Sequence, residues 1–247
     1  MNKPGEGRDA SSRARIDGAG RAFAGSQLQI QIYVNRRVDE LDKSILAALP
    51  ALASGSPRIT WVSPIESRSF IEYQDDDFLE ALGMTDRLPA LKGFWPRGGP
   101  TWDGLASLQL EHGPQRNGVL LVEGKSHVPE VYGPGCQASP ESRAKISKAL
   151  SVAKRWLQVP DEFDWLGPLY QSANRLAHLY FFREVLQVPA WLVNVCFLDD
   201  PHSPTSRQQW QEGLRRIKAE LGLSGKMAPN YTDVLLPART RSELVKE

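Results

Sequence analysis

Apolar residues along the chain fall into short runs of differing period, and those periods lay out its elements. "LQIQIYV" (Leu28 to Val34) alternates apolar and polar residues, the two-residue repeat of a half-buried strand. "RRVDELDKSILAALPAL" then spaces Val38, Leu41, Ile45, Leu46 and Leu49 as a helix does, with Pro50 near its end. "RITWVSP" reads as a strand, so the chain opens strand–helix–strand. "DDDFLEALGM" places acids where a helix begins and Phe78, Leu79 and Leu82 on its inner side. Pro89 to Pro100 is rich in Gly and Pro and reads as a loop. "TWDGLASLQL" and "VLLVEGK" read as strands joined by a hairpin-like "EHGPQRNG". After a loop (Val128 to Ser139) come helices over about Pro140 to Leu157 and Leu166 to Leu186, and a buried strand, "PAWLVNVCFL". A helix over about Pro204 to Leu221 and a short strand, "YTDVLL", complete the pattern. Strands mixed with helices predict an α/β fold.

Composition refines this picture at three points. Residues 1–26 are rich in Gly, Arg, Ser and Ala, which predicts a disordered tail ahead of a single α/β domain over 27–247. The tail's Arg8, Arg13, Arg15 and Arg21 are partly offset by Glu6, Asp9 and Asp17. A formal charge of +1 neither announces nor excludes a nucleic-acid partner, because a local basic groove can coexist with a neutral total. Cys136 and Cys196 lack the spacing of a disulfide scaffold or a zinc site, and no run has the length of a membrane span. The expectation is a cytoplasmic protein with no membrane association.

The chemistry concentrates in "VLLVEGK". On a strand Glu123 and Lys125 share one face, while Gly124 turns to the other and admits a close neighbour. The apolar run before them reads as a strand buried on both faces, where charges are expensive unless paired or ligand-bound. A hairpin centred near Gly113 and Pro114 brings Asp103 opposite the Glu123–Lys125 region. Two carboxylates that close repel each other unless a cation lies between them. Mg²⁺ (or Mn²⁺) suits the task, since it takes one or two carboxylates and leaves the rest of its shell to water and phosphate oxygens.

Asp103 followed by Glu123-Gly124-Lys125 at the end of an apolar strand resembles the PD-(D/E)xK nuclease signature. The resemblance spans roughly Asp75 to Leu198 and implies a restriction-endonuclease-like α-β-β-β-α-β core, a mixed central sheet flanked by helices, here with an N-terminal strand–helix–strand extension. Laid onto that order are the helix at Asp77 to Gly83, the Asp103 and Glu123 strands, a helix carrying Gln171, and the strand at Leu192 to Phe197. No strand is legible between Leu88 and Pro100, and Trp102 stands where the motif often has proline. The resemblance implies a Mg²⁺-dependent nuclease acting on nucleic acid, DNA in the first place. Asp103, Glu123 and the backbone carbonyl of Gly124 would bind the metal, and Lys125 would assist the attacking water. Glu80 resembles the extra acid that some members add, with Asp75, Asp76 and Asp77 competing for that role. Gln171 resembles a glutamine that several branches place beside the metal.

On the same helix, Arg175 and His178 follow Gln171 at i+4 and i+7, with Asn174 close by. Arg175 is suited to clamp a phosphate, and Asn174 and His127 are further substrate-binding candidates. Plainer readings stand beside these. His127 reads equally as an exposed loop residue, His178 as a satisfied helix residue, and Asp75 to Asp77 as a helix-start cluster. Lys145, Lys148, Lys154 and Arg155 form a solvated helix face or a DNA-facing one, and the tryptophans are mainly packing. The rival to a nuclease is a catalytically inactive protein of the same fold that binds nucleic acid or a protein partner.

Overall fold

A computed structural model describes residues 15–111, 116–225 and 230–245. Its elements in chain order are α1 (Gly25–Arg36), α2 (Val38–Ala48), α3 (Pro50–Ala53), β1 (Arg58–Ser63), α4 (Asp75–Ala81), α5 (Leu88–Phe94), β2 (Gly104–Gln109) and β3 (Asn117–Lys125). These are followed by α6 (Pro140–Trp156), α7 (Tyr170–Tyr180), β4 (Ala190–Leu198), α8 (Arg207–Glu220), β5 (Tyr231–Pro237) and α9 (Ser242–Val245). The strands form one mixed sheet in the order β1-β2-β3-β4-β5. The β1–β2 and β2–β3 pairs are antiparallel, and the β3–β4 and β4–β5 pairs are parallel. Among the described residues no helix is long and apolar enough to cross a membrane.

Each central strand sends alternate side chains into two different cores. On one face Ala106, Leu108, Leu120, Val122, Trp191, Val193, Val195 and Phe197 pack against Ile30 and Tyr33 of α1 and Leu41 and Ile45 of α2. On the other, Leu105, Val119, Leu121, Leu192 and Cys196 meet residues of α4 to α8. β3 is buried at every position after Asn117, as the middle strand of a covered sheet must be.

The largest departure from the sequence pattern is α1, where alternation predicted a strand. The polar positions are not facing water. Gln29 exchanges hydrogen bonds with the Arg239 backbone (2.9 and 2.7 Å), and Gln31 bonds Ala22 N–H (2.8 Å) and the Gly20 carbonyl (3.0 Å). The segment is buried on all sides, with Ile30 and Tyr33 facing the sheet and Leu28 and Ile32 packing with Ala22, Phe70 and Leu244. A helix enclosed on all sides carries no polar stripe, so its period cannot be read. The opening is therefore helix–helix–strand, not strand–helix–strand.

The domain boundary also moves. Residues 15–24 are folded: Ile16 bridges Ala22, and Asp17 pairs with Arg21 and Arg241. Residues 1–14 of the expected tail, with Arg8 and Arg13, lie outside the described residues. The expected loop from Pro89 begins instead with α5, whose Pro89 sits in the first turn where its missing N–H does no harm, and Leu91 anchors it in the core. The helix expected over Leu166 to Leu186 starts at Tyr170 and loosens into a π turn over Phe181–Val185.

Candidate active site on one face of the central strands

The β2–β3 ladder pairs Gly104 with Val122 and Gln109 with Asn117, so it is symmetric about position 113 and puts Asp103 across from Glu123. The connecting residues 112–115 lie outside the described residues. Gly124 N–H donates to Asp103 Oδ2 at 2.7 Å and locks that juxtaposition. A Cβ at Gly124 would meet Ile30 Cγ1 at 2.7 Å, so glycine is what lets α1 lie against β3. Glu123 and Lys125 point to the opposite face, beneath α7.

There Glu123 is held from both sides. Lys125 Nζ donates to its Oε1 at 2.6 Å and Arg175 Nε, from α7, to its Oε2 at 2.8 Å. Arg175 also reaches the Thr101 carbonyl at 3.0 Å and lies 5.7 Å from the centre of the Trp102 ring, fixing α7 to the entry of β2. Glu123, Lys125 and Arg175 are 5%, 9% and 8% exposed, so this is a buried network.

The register continues across the sheet. Glu123 pairs with Asn194 and Asn194 with Asp233, giving one polar rung from β2 to β5. Asn194 donates to Tyr231 Oη (2.8 Å) and to Asp233 Oδ1 (2.9 Å), while Lys218 of α8 pairs with Asp233. A cavity of about 20 Å³ lies between Glu123, Lys125, Arg175 and Asn194. That is room for about one water molecule.

The electrostatics follow from burial and charge count. Burial, then the Glu123 charge, push the Asp103 carboxyl well above the usual carboxylate range. Burial would raise Glu123 too, but Arg175 and Lys125 outweigh it and hold that carboxyl below its ordinary value. Burial pulls the Lys125 ammonium down, and the charges of Glu123 and Asp103 more than reverse this. Glu72, just before α4, is pushed up to about 7 by burial and by Glu123, against a hydrogen bond from Gln27. Three acids, Asp103, Glu123 and Glu72, thus share the field of two bases, Lys125 and Arg175, and the bases act most directly on Glu123.

The remaining candidates divide. Gln171 stands exposed at the start of α7 and lines the small cavity. Asn174 is buried one turn on, with its side-chain oxygen unpartnered. His127 is elsewhere: its Nδ1 accepts Glu130 N–H at 3.1 Å and caps a short 3₁₀ turn, in a recess with Ser26 and His202. Glu80 is exposed on α4 and enters neither the ion pairs nor the carboxylate coupling. Asp75 accepts Gly98 and Gly99 N–H (3.1 and 2.8 Å), and Asp76 pairs with Lys92 (2.8 Å), which accounts for two of the three helix-start acids structurally.

His178 is buried among Phe78, Phe94, Trp95 and Trp102, and burial lowers its imidazole to about 4. Lys154, expected on a solvated or DNA-facing surface, is buried and donates to the Asp161 and Phe163 carbonyls. Trp95, Trp102 and Trp165 are core residues.

Sequence reasoning missed Glu72, Asn194 and Asp233. A polar residue inside "AWLVNVCFL" was a usable signal for Asn194, whereas a lone acid in "FIEYQ" carries none. Among the described residues, no group of three or more His, Cys, Asp and Glu side chains gathers closely enough to hold a metal ion unaided by backbone, water or substrate. No family model, curated protein or solved structure matches the chain.

Proposed function

We propose that the protein is a divalent-cation-dependent nuclease that hydrolyses phosphodiester bonds, in the first place of DNA, at Asp103, Glu123 and Lys125. The observation that carries this reading is the facing of Asp103 and Glu123 on neighbouring strands, with Lys125 on the Glu123 face two residues later. Asp103 has no ion-pair partner among the described residues, and its carboxyl is raised by burial first and by the Glu123 charge second. On this reading the core is restriction-endonuclease-like and runs through α2, β1, β2, β3, α7 and β4. β1 then takes the place of the strand sought after Leu88.

The donor set fits Mg²⁺ or Mn²⁺ by chemistry. Asp103 has one oxygen occupied by Gly124 N–H and the other available, Glu72 lies within electrostatic reach, and Gly124 adds its backbone carbonyl. The bound ion would supply Lewis acidity and a more acidic water at the phosphate. Lys125, kept as an ammonium by its acidic neighbours, donates to the attacking water or to the phosphate oxygens. Arg175 has donors beyond those given to Glu123 and Thr101, and a guanidinium matches a phosphate in a bidentate way. Gln171 stands at the mouth of the site. Two free thiols, Cys136 and Cys196, agree with a reducing, cytoplasmic setting.

The test combines calorimetry with Mn²⁺ and a cleavage assay on single-stranded, duplex and branched DNA. Wild type is expected to bind the ion and cleave only in its presence. Asp103→Ala and Lys125→Ala are expected to lose about 100-fold or more in rate, the scale of removing one preorganised charge-stabilising group. Equal cleavage by wild type and both variants sinks the assignment. One observation favours the rival: both Glu123 oxygens already carry a cationic partner, so an added ion must compete for them. DNA binding with neither ion uptake nor cleavage selects that rival, a protein of this fold that binds without turnover.

A further inference from the structure

Beside the ion-pair network lies a second, larger opening. A cleft of about 630 Å³ is bounded by the Arg97–Thr101 loop, the Gly133–Ser142 segment and the start of α7. That volume is in the range of small-molecule sites and takes one nucleotide, not a duplex. Arg175 and Gln171 line both the cleft and the small cavity at Glu123, so the two openings adjoin.

The lining has one sign. Arg97 and Arg175 contribute to it and no Asp or Glu does. Arg97 is exposed and has no ion pair or hydrogen bond among the described residues, so its guanidinium is free. The first turn of the 17-residue α6 also opens here, through Ser139 and Ser142. Pro140 has no N–H and Ser142 N–H reaches the Ser139 hydroxyl at 3.4 Å, so the N–H of Glu141 is the one left without a hydrogen bond in this first turn among the described residues.

A helix end alone would mean little, but Asn174 adds an independent sign. It is 4% exposed, its side-chain oxygen is buried without a partner, and its amide NH₂ makes no hydrogen bond among the described residues. The unpartnered oxygen is an acceptor, so what it lacks is a donor such as a base N–H or a sugar hydroxyl, and a bound nucleotide can offset that cost. Asn174 lines the same cleft.

We infer that this cleft is a phosphate subsite for a single-stranded nucleic acid, gripping one nucleotide's phosphate between Arg97, Arg175 and the α6 N-terminus while Asn174 Oδ1 accepts from a donor on the same nucleotide's base or sugar. The inference rests on the nuclease reading for the kind of ligand, while the binding itself needs no divalent ion. The held phosphate is either a terminal monoester or an internal diester next to the bond to be cut. A phosphate here lies against Asn174 and Arg175, consecutive on α7, and so next to the contact of Arg175 with Glu123.

The experiment uses the full chain without divalent ions. Anisotropy is read for short fluorescent oligothymidylates carrying a 5′-phosphate, a 3′-phosphate or only hydroxyl ends, with inorganic phosphate as competitor. Arg97→Gln, an exposed position, is expected to weaken binding about tenfold and flatten its salt dependence. Asn174→Asp, nearly isosteric, is expected to weaken it at least as much, with melting curves confirming that both variants fold. Preference for one phosphorylated end with loss of that preference in the variants assigns a terminal phosphate. Equal binding of all three, weakened alike by the variants, assigns an internal one. No binding by wild type at low salt, or wild-type binding by both variants, overturns the inference. If binding depends on Arg97 and Asn174 but no divalent ion supports cleavage, the nuclease reading fails and the subsite stands. Cleavage that ignores both substitutions leaves the nuclease reading standing alone.

Discussion

Val122 and Glu123 are neighbours on β3 and both are buried, yet they serve two different interiors. Val122 turns toward α1 and α2, where the strand side chains are mainly apolar and the elements fit by shape. Glu123 turns toward α7 and joins a rung that runs from Asp103 through Asn194 to Asp233. The first face derives its stability mainly from burial, with single hydrogen bonds such as Trp61 to Asp42 (2.9 Å) at its margin. The second holds charges out of water, where each is tolerable only with its partners in place. A sheet with one mainly apolar face can carry a polar rung on the other, because the apolar face secures the strand register that aligns it.

The sharpest way to break this contrast is to truncate the two neighbours. Glu123→Ala strands Lys125 and Arg175 without their shared acid, and a loss of about 3–5 kcal/mol is expected. Val122→Ala removes buried methyl groups only and is expected to cost about 2 kcal/mol. The two should also combine differently with Arg175→Ala in urea melts. The Glu123 and Arg175 changes share a partner and should fall well short of additivity, while the Val122 and Arg175 changes should add within about 0.5 kcal/mol. Additivity in both pairs would mean that the two faces do not differ as described. Cleavage and ion binding should disappear with Glu123→Ala and persist in the folded fraction of Val122→Ala.

The contrast also explains what could be read from the sequence. The Glu123-Gly124-Lys125 alternation, the central place of β3 and the β2–β3 register were legible because a strand buried on both faces makes any charge conspicuous. The N-terminal helix was not, because Gln29 and Gln31 imitate the solvent side of a strand while being buried against backbone partners. Glu72 could not be placed either, since its position depends on the path between β1 and α4 and not on any local pattern. The rung beyond Glu123 required the β3–β4 and β4–β5 pairings, which link residues about seventy and forty positions apart in the chain. The α/β class and the five strands after position 57 were legible from periodicity, and the candidate site only in its β2–β3 half.

Acid should separate the two faces as well. His178 belongs to the polar-rung side, caged by aromatic rings, and its imidazole falls from an ordinary 6.5 to about 4 because burial disfavours its charge. Below pH 6.5 the unfolded chain binds a proton that the folded chain refuses until about pH 4. Stability is therefore full above 6.5 and lost as pH falls through that window, by roughly 3 kcal/mol in all. His178→Gln should remove most of that slope relative to wild type in denaturant melts at pH 7, 5.5 and 4. Parallel curves for the two proteins would place the acid sensitivity elsewhere.

The smallest expected effect tests the residue where the two faces meet. Gly124 gives its N–H to Asp103 on the site side, and its open Cα faces α1. Gly124→Ala sets a methyl 2.7 Å from Ile30 Cγ1, closer than carbon atoms pack, so α1 must shift from β3 at a cost of about 1–3 kcal/mol. The nearest atoms belong to the Ile30 side chain, and Ile30→Ala removes the one at 2.7 Å, so the double variant should recover part of the loss. If it does, the apolar face sets how closely α1 approaches, and the Asp103 hydrogen bond survives. Should ion binding fall in the single variant and return in the double, the shape of the apolar face reaches the site through this one glycine. A double variant no better than the single would show instead that the strand itself, and not the helix, gives way.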